Sequence, residues 1–397
     1  MKNSKKTLIL KPGRDRSVLG RHPWIFSGAV DRVEGHPESG ESVLVRDASG
    51  LALGWAAFSP ASSIRARMWN LNPAETVDKD YFENRIRQAI ERRRAVVPPG
   101  ETDAVRLVHA ESDGLPGLVV DRYADVLVVQ ILTAGAEFWR EIITDSLAKL
   151  TGTQVIVERS DVDVRQLEGL AARTGVLRGQ TPGPVEIQEN GLRFQVDVVN
   201  GQKTGFYIDQ RRNRQRVGAL AAGRKVLNCF CYTGGFSVYA LAHEAKSVVS
   251  VDSSGEALAM GRRHVALNGL LPEKAEWIEG DVFKVLRTMR DEGRSFDMVI
   301  LDPPKFAPTA AQAERAAHGY KDINLLGFKL LRPGGILATF SCSGGISAEL
   351  FQKIVAGAAL DAGVDARIVQ TLTQGADHPV ALSFPEGAYL KGLIVQV

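Results

Sequence analysis

The stretch that decides the fold is Lys225-Val226-Leu227-Asn228-Cys229-Phe230-Cys231-Tyr232-Thr233-Gly234-Gly235-Phe236. A short apolar run of strand length enters a loop with paired glycines, and a helix-like apolar segment follows over residues 236–243. Glycine is the residue for a backbone that must turn tightly beside a ligand. Outward from this stretch, strand-like and helix-like segments alternate to the C-terminus. Strands are predicted at residues 225–229, 247–252, 275–279, 297–301, 335–340, 367–371 and 390–397, and helices at 236–243, 255–268, 282–292, 324–331 and 348–362. Such alternation predicts a doubly wound α/β sheet, with ligands at the carboxyl ends of its strands.

Those strand ends carry the chemistry. The second strand ends in Asp252-Ser253, where a carboxylate can accept from both hydroxyls of a ribose. The third ends before Asp281-Val282, an acid that could meet an adenine amino group or simply cap the next helix. The spaced glycines of a dinucleotide site are absent, since Gly234 and Gly235 are adjacent and bulky Phe230 and Tyr232 occupy the loop. A cofactor with ribose and no phosphates fits better, and S-adenosylmethionine is the obvious one. The fourth strand ends in Asp302-Pro303-Pro304-Lys305-Phe306, a stiffened loop able to present a carboxyl and backbone carbonyls to an aromatic base. The fifth ends in Ser341-Cys342-Ser343. A thiolate there could add to C6 of cytosine and make C5 nucleophilic toward a methyl donor. Methylation of an amine needs no thiol, so Cys342 separates a C5 reaction from methylation of a purine ring or exocyclic nitrogen.

The remaining chain reads as two smaller modules. Residues 1–72 carry short β-like runs, predicting a small barrel. Their basic residues Lys2, Lys5, Lys6, Lys11, Arg14, Arg16 and Arg21 face only Asp15 over the first 21 positions, and Trp24, Phe26, Trp55 and Trp69 follow. A basic arm with aromatics on a barrel suits nucleic acid. In the central α+β module, residues 73–202, a helix over 81–96 carries Arg85, Arg87, Arg92, Arg93 and Arg94. The ordinary reading is a solvated face, and the functional one is phosphate contact through Arg85, Arg92 and Arg93. Strands are predicted at 117–120, 126–132 and 154–158, with a helix over 137–150 and a hairpin about Asn190-Gly191. Residues 203–397 form the catalytic domain.

Composition bounds these readings. The 397 residues are 44% hydrophobic and 24% charged, with a net charge of +3, so neither a disordered chain nor a blanket of positive charge is in prospect. Three cysteines make no disulfide framework and no four-ligand zinc site, so no metal is expected and a reducing cytoplasm is. No run of about 18 apolar residues predicts a membrane span.

The motifs resemble those of the bacterial ribosomal RNA large subunit methyltransferase I family, and the resemblance covers essentially the whole chain. It is carried by Arg21-His22-Pro23-Trp24-Ile25-Phe26-Ser27-Gly28-Ala29, by Glu111-Ser112-Asp113-Gly114-Leu115-Pro116-Gly117, by residues 203–211, and by Asp377-His378-Pro379 and Pro385-Glu386-Gly387. It implies an N-terminal PUA barrel, a central module and a class I, Rossmann-like methyltransferase domain. The implied activity is 5-methylcytosine formation in 23S ribosomal RNA, of the cytosine 1962 type, with the RNA or a large-subunit assembly intermediate as partner. It also implies that Gln210, Asn228, Phe230, Tyr232, Thr233, Gly234, Gly235, Phe236, Asp252, Ser253, Asp281, Val282, Asp302 and Pro303 hold S-adenosylmethionine. Cys342 and Asp302 would act on the base, beside Pro304, Lys305 and Phe306. Many RNA cytosine-C5 enzymes carry a second cysteine after the two prolines. Lys305 stands there in this chain, which leaves the proton-abstracting base open between Asp302, Lys305 and water. The oligomeric state, homodimer included, is not readable from sequence.

Overall fold

The computed structural model describes residues 6–306 and 313–397. Lys2 and Lys5 of the basic arm lie outside them. The chain divides into two compact units: Met1–Gly191, Val196–Ile208 and Ala376–Gly387 form the first, and Leu192–Gln195, Asp209–Gly375 and Ala388–Val397 the second. This differs from a division at residues 72 and 202. Asp377 accepts the Arg106 backbone N–H at 3.2 Å and Phe384 packs on Trp24 at 4.9 Å, so a late segment belongs with the first unit.

The first unit holds a six-stranded sheet, in the order Trp24–Phe26, Ile64–Asn70, Ala52–Phe58, Ser42–Arg46, Thr7–Leu10, Val30–Glu34, around a core that includes Leu8, Val43, Val45, Ala56 and Ala66. A five-stranded sheet follows, in the order Arg173–Arg178, Val155–Ser160, Val126–Ile131, Leu118–Tyr123, Ala104–His109. The helix Lys79–Val96 buries Phe82, Ile86, Ala89 and Ile90 in the core of this second sheet. The helix expected over 137–150 is two, Ala134–Phe138 and Arg140–Thr151, broken at Trp139.

The second unit is built on seven strands: β1 (Lys225–Cys229), β2 (Ser247–Asp252), β3 (Ala275–Glu279), β4 (Phe296–Leu301), β5 (Leu331–Ser341), β6 (Arg367–Leu372) and β7 (Lys391–Gln396), in the order β3-β2-β1-β4-β5-β7-β6. β1 to β5 run parallel, and β7 is antiparallel to both neighbours. Central strands covered on both faces read as continuous apolar runs, hence Val226-Leu227 and Val299-Ile300-Leu301 with no exposure. The helices are α1 (Arg211–Gly218), α2 (Gly235–Ala242), α3 (Gly255–Leu267), α4 (Val282–Asp291), α5 (Ala313–Leu330) and α6 (Ala348–Ala362). α5 starts well before residue 324, because its apolar stripe continues back through Ile323, Tyr320 and Ala316 at helical spacing. The strand order reverses between β1 and β4, and the carboxyl edge of the sheet at that point is the place where this architecture binds ligands.

Candidate active site

The loop after β1 is strained. Phe230 and Tyr232 sit at φ 58° and 48°, and Gly234 at 74°. Left-handed backbone at a bulky residue costs about 1–3 kcal/mol and persists only where its surroundings impose it. Here Asp252 Oδ2 accepts the Tyr232 N–H at 2.8 Å, while Oδ1 accepts from Ser254 at 3.0 Å. A Cβ on Gly234 would lie 2.6 Å from the Trp277 ring, so the loop's close approach to β3 requires glycine. His264, fully buried on α3, lies 2.9 Å through Nδ1 from the Thr233 carbonyl, and its Nε2 accepts the Gln195 N–H at 2.9 Å. Burial holds this imidazole below its ordinary pKa. A neutral ring with hydrogen on Nδ1 satisfies both bonds.

The loop leaves polar atoms for a ligand. Asn228 Nδ2 donates to Ser237 at 2.8 Å, but Asn228 Oδ1 and Thr233 Oγ1 are buried without a hydrogen-bond partner. Buried orphans of this kind ask for an explanation. A ligand bringing amino and hydroxyl donors supplies one, so these residues fit S-adenosylmethionine. Asp252 is half-buried and Ser253 exposed at the end of β2. Asp281 is exposed and caps α4, accepting the Lys284 N–H at 3.0 Å, while Val282 packs in the core. Phe236 is buried against Phe340.

Past β4, the half-buried Asp302 accepts from Gln210 Nε2 at 3.0 Å. Asn213 Nδ2 donates to Gln210 Oε1 at 2.6 Å, which fixes the orientation of that amide. Burial first, and then the Asp209 carboxylate, push Asp302 up to about 7, against the opposing pull of Gln210 and Arg214. Tyr389 donates to Asp209 at 2.7 Å. Pro303 is buried, and Pro304 and Lys305 are exposed. Phe306 packs between Phe283 and Tyr320, at 6.1 and 4.8 Å between ring centres, so it forms part of a wall rather than a free platform.

Leu301 pairs with Thr339, so Asp302 leaves β4 beside the end of β5 and Cys342 follows that end directly. Cys342 is half-buried, whereas Cys229 and Cys231 are buried in surroundings that push both thiols up. Lys391 donates to the Ser343 carbonyl at 2.7 Å, and the Tyr320 hydroxyl lies 2.9 Å from Ser343 Oγ. Reading the sequence missed Lys391, Tyr320, Asp209, Asn213 and His264. Only Asp209 carried a local signal, one position before Gln210.

The arginine helix divides. Arg93 is buried and forms a two-pronged ion pair with Asp113 at 2.6 and 2.7 Å, so its guanidinium is committed to the fold and is not available to a phosphate. Arg85 is half-buried over the Tyr81 ring, and Arg92 is exposed and 3.3 Å from Asp113. Of the aromatics after the basic arm, Trp69 is core, Trp24 donates to Glu111 and Trp55 to the Pro73 carbonyl, which leaves Phe26 exposed. Among the described residues, no helix is long and apolar enough to cross a membrane and no cluster of three or more His, Cys, Asp or Glu could hold a metal.

Residues 165–371 match the family of S-adenosylmethionine-dependent methyltransferases, and residues 8–70 a PUA-like domain. A Streptococcus mutans structure described as a SAM-dependent methyltransferase superposes with a TM-score of 0.84 at 20% identity, over 98% of this chain and 100% of that one. The sheet order, the loop after β1 and these matches define an S-adenosylmethionine-dependent methyltransferase with an N-terminal PUA-like domain. Proteins named ribosomal RNA large subunit methyltransferase I are 53% identical over 390 residues in Aeromonas salmonicida and 51% over 389 in Shewanella amazonensis, each match spanning 98% of both chains. The chain belongs to the ribosomal RNA large subunit methyltransferase I family.

Proposed function

We propose that this protein methylates C5 of a cytosine in 23S ribosomal RNA, at the cytosine 1962 type of site, through a covalent adduct between Cys342 and C6 of the base. The observation that carries this reading is the half-buried Cys342 thiol just past β5, one strand from Asp302. Asn228, Thr233 and Asp252 are the residues to hold the cofactor, with the loop from Phe230 to Phe236 closing on it. When bound, S-adenosylmethionine supplies an electrophilic methyl group.

The chain's own residues do the rest. Cys342 as thiolate forms a bond to C6, and the electron pair moves toward N3. Asp302, which titrates near neutrality, is suited to share a proton with that ring nitrogen, so charge does not accumulate on the base. C5 becomes the carbon nucleophile. After methylation a base, Asp302, Lys305 or water, takes the C5 proton, the electrons of the C5–H bond form the C5–C6 double bond, the C6–S bond breaks and the thiolate returns. The PUA-like domain and exposed Arg92 are the surfaces offered for RNA, with Arg85 at their margin. The test is methyl transfer to 23S ribosomal RNA by the wild type and Cys342→Ala, with the product identified by mass spectrometry of the digested RNA. Expected are 5-methylcytidine from the wild type and none from the variant. A methylated purine, or full activity of Cys342→Ala, overturns the reading.

A further inference from the structure

Lys391 opens β7, and the antiparallel register sets it opposite Ser341, the last residue of β5. Its side chain reaches past the strand end, where Nζ donates to the Ser343 carbonyl at 2.7 Å. One lysine thus engages both residues that flank Cys342. The amine is half-buried. Burial brings it down to about 8, Lys305 acts in the same direction, and Cys342 opposes both, so amine and thiol lie within electrostatic reach. Tyr320 also feels the charge of Cys342, and burial keeps its phenol protonated beyond the ordinary range. The titratable groups of this corner of the site include Lys391 from β7 and Tyr320 from α5, both of which feel the charge of Cys342, and Lys305 from the loop after β4, which acts on Lys391.

Of these three, only Lys391 is suited to stabilise a thiolate. Tyr320 stays neutral, and its hydroxyl is engaged with Ser343 Oγ at 2.9 Å. Lys305 is exposed, so solvent and salt screen its charge. A half-buried ammonium beside a thiol is the arrangement that lowers a cysteine's pKa.

We propose that Lys391 is the positioning residue that keeps Cys342 ionised, by holding its ammonium beside the thiol while anchored on the Ser343 carbonyl. This rests on the reading of Cys342 as nucleophile. The proton balance closes. The thiol proton passes to the neutral amine, giving thiolate and ammonium. The thiolate is expelled from C6 at the end of the reaction still paired with that ammonium, so the next turnover needs no new proton transfer.

The test uses the full chain and the reaction of Cys342 with iodoacetamide across pH, read by mass spectrometry of the peptide that carries it. In Lys391→Met the midpoint of alkylation should rise by about one pH unit or more, and methyl transfer at neutral pH should fall about tenfold and recover as pH is raised. Lys391→Arg, which keeps the charge, should restore the low midpoint. Lys391→Gln keeps a donor for the Ser343 carbonyl without the charge, and should behave as Lys391→Met; it carries the test if Lys391→Met does not fold. An unchanged midpoint in whichever variant binds S-adenosylhomocysteine normally overturns the proposal. Alkylation is read on the thiol itself, so it decides the role of Lys391 even if Cys342→Ala remains active and the nucleophile reading falls.

Discussion

Asp302→Asn should stabilise the protein at neutral and alkaline pH while removing methyl transfer. The native Asp302 carboxyl is held at about 7 by burial and by the Asp209 carboxylate, against 3.8 for an ordinary aspartate. A raised native pKa means that the folded state binds this proton more tightly than the unfolded chain. Its contribution to stability is therefore fully present below about pH 3.8 and is lost as pH rises through about 7. At about 1.4 kcal/mol per pH unit, the gap amounts to about 4 kcal/mol once the carboxyl is fully ionised, a ceiling because the group keeps some contact with solvent. Asparagine is neutral at every pH, and its carbonyl can still accept from Gln210 Nε2. The difference in stability between Asp302→Asn and wild type should be near zero at about pH 4 and grow toward that ceiling by about pH 8. Urea titrations read by deuterium uptake over Phe296–Leu301 report on the unit that carries Asp302. Methyl transfer should fall about a hundredfold or more, the ordinary size of a lost acid–base group. A stability difference that does not change with pH would refute the reasoning, because it would mean that Asp302 is not held protonated by its surroundings.

Three other outcomes follow from the geometry. His264→Phe keeps an aromatic ring against Phe194 but removes the bonds to Thr233 and Gln195; the Thr233 bond is the one that holds the cofactor loop, and at roughly 1 kcal/mol for that bond the affinity for S-adenosylhomocysteine, measured by calorimetry, should fall about fivefold. Gly234→Ala puts a methyl group 2.6 Å from Trp277 at φ 74°, and should lower stability by roughly 1–2 kcal/mol for the left-handed backbone and roughly 1–3 for the overpacking, read as a drop in melting temperature. Arg93→Met strands the buried Asp113 carboxylate and should cost about 3–5 kcal/mol, whereas Arg92→Met should leave stability almost unchanged and reduce the salt dependence of RNA binding by about one ion. An Arg93→Met protein as stable as the wild type would show that the ion pair is not what holds that helix.

The sequence made some elements plain because their signals are local. β1 and β2 are short apolar runs ending at a glycine loop or an acid, β3, though an edge strand, keeps Trp277 and Ile278 ahead of a terminal acid, and α6 lies between the capping Ser347 and a left-handed Gly363. Val30–Glu34 and Arg173–Arg178 escaped notice because both are edge strands with mostly exposed or half-buried side chains, so neither carries an alternating apolar pattern. The arginine helix held a usable signal. Phe82, Ile86, Ala89, Ile90 and Arg93 recur at spacings of three and four, which puts Arg93 on the buried face and Arg92 off it. The candidate site divides in the same way. Asp252 ends a strand, Asp302 and Cys342 each follow one, and a strand end is readable. Lys391 reaches the Ser343 carbonyl, next to Cys342, only through the pairing of β7 with β5, and Asp209 acts on Asp302 only because β4 and the start of α1 converge. The Asp209 charge helps Asp302 keep its proton, and the Lys391 charge is the one proposed to help Cys342 lose its own. Three cysteines look alike in a sequence, but two are sealed in the sheet and its loop, and the third lies half-buried beside an amine.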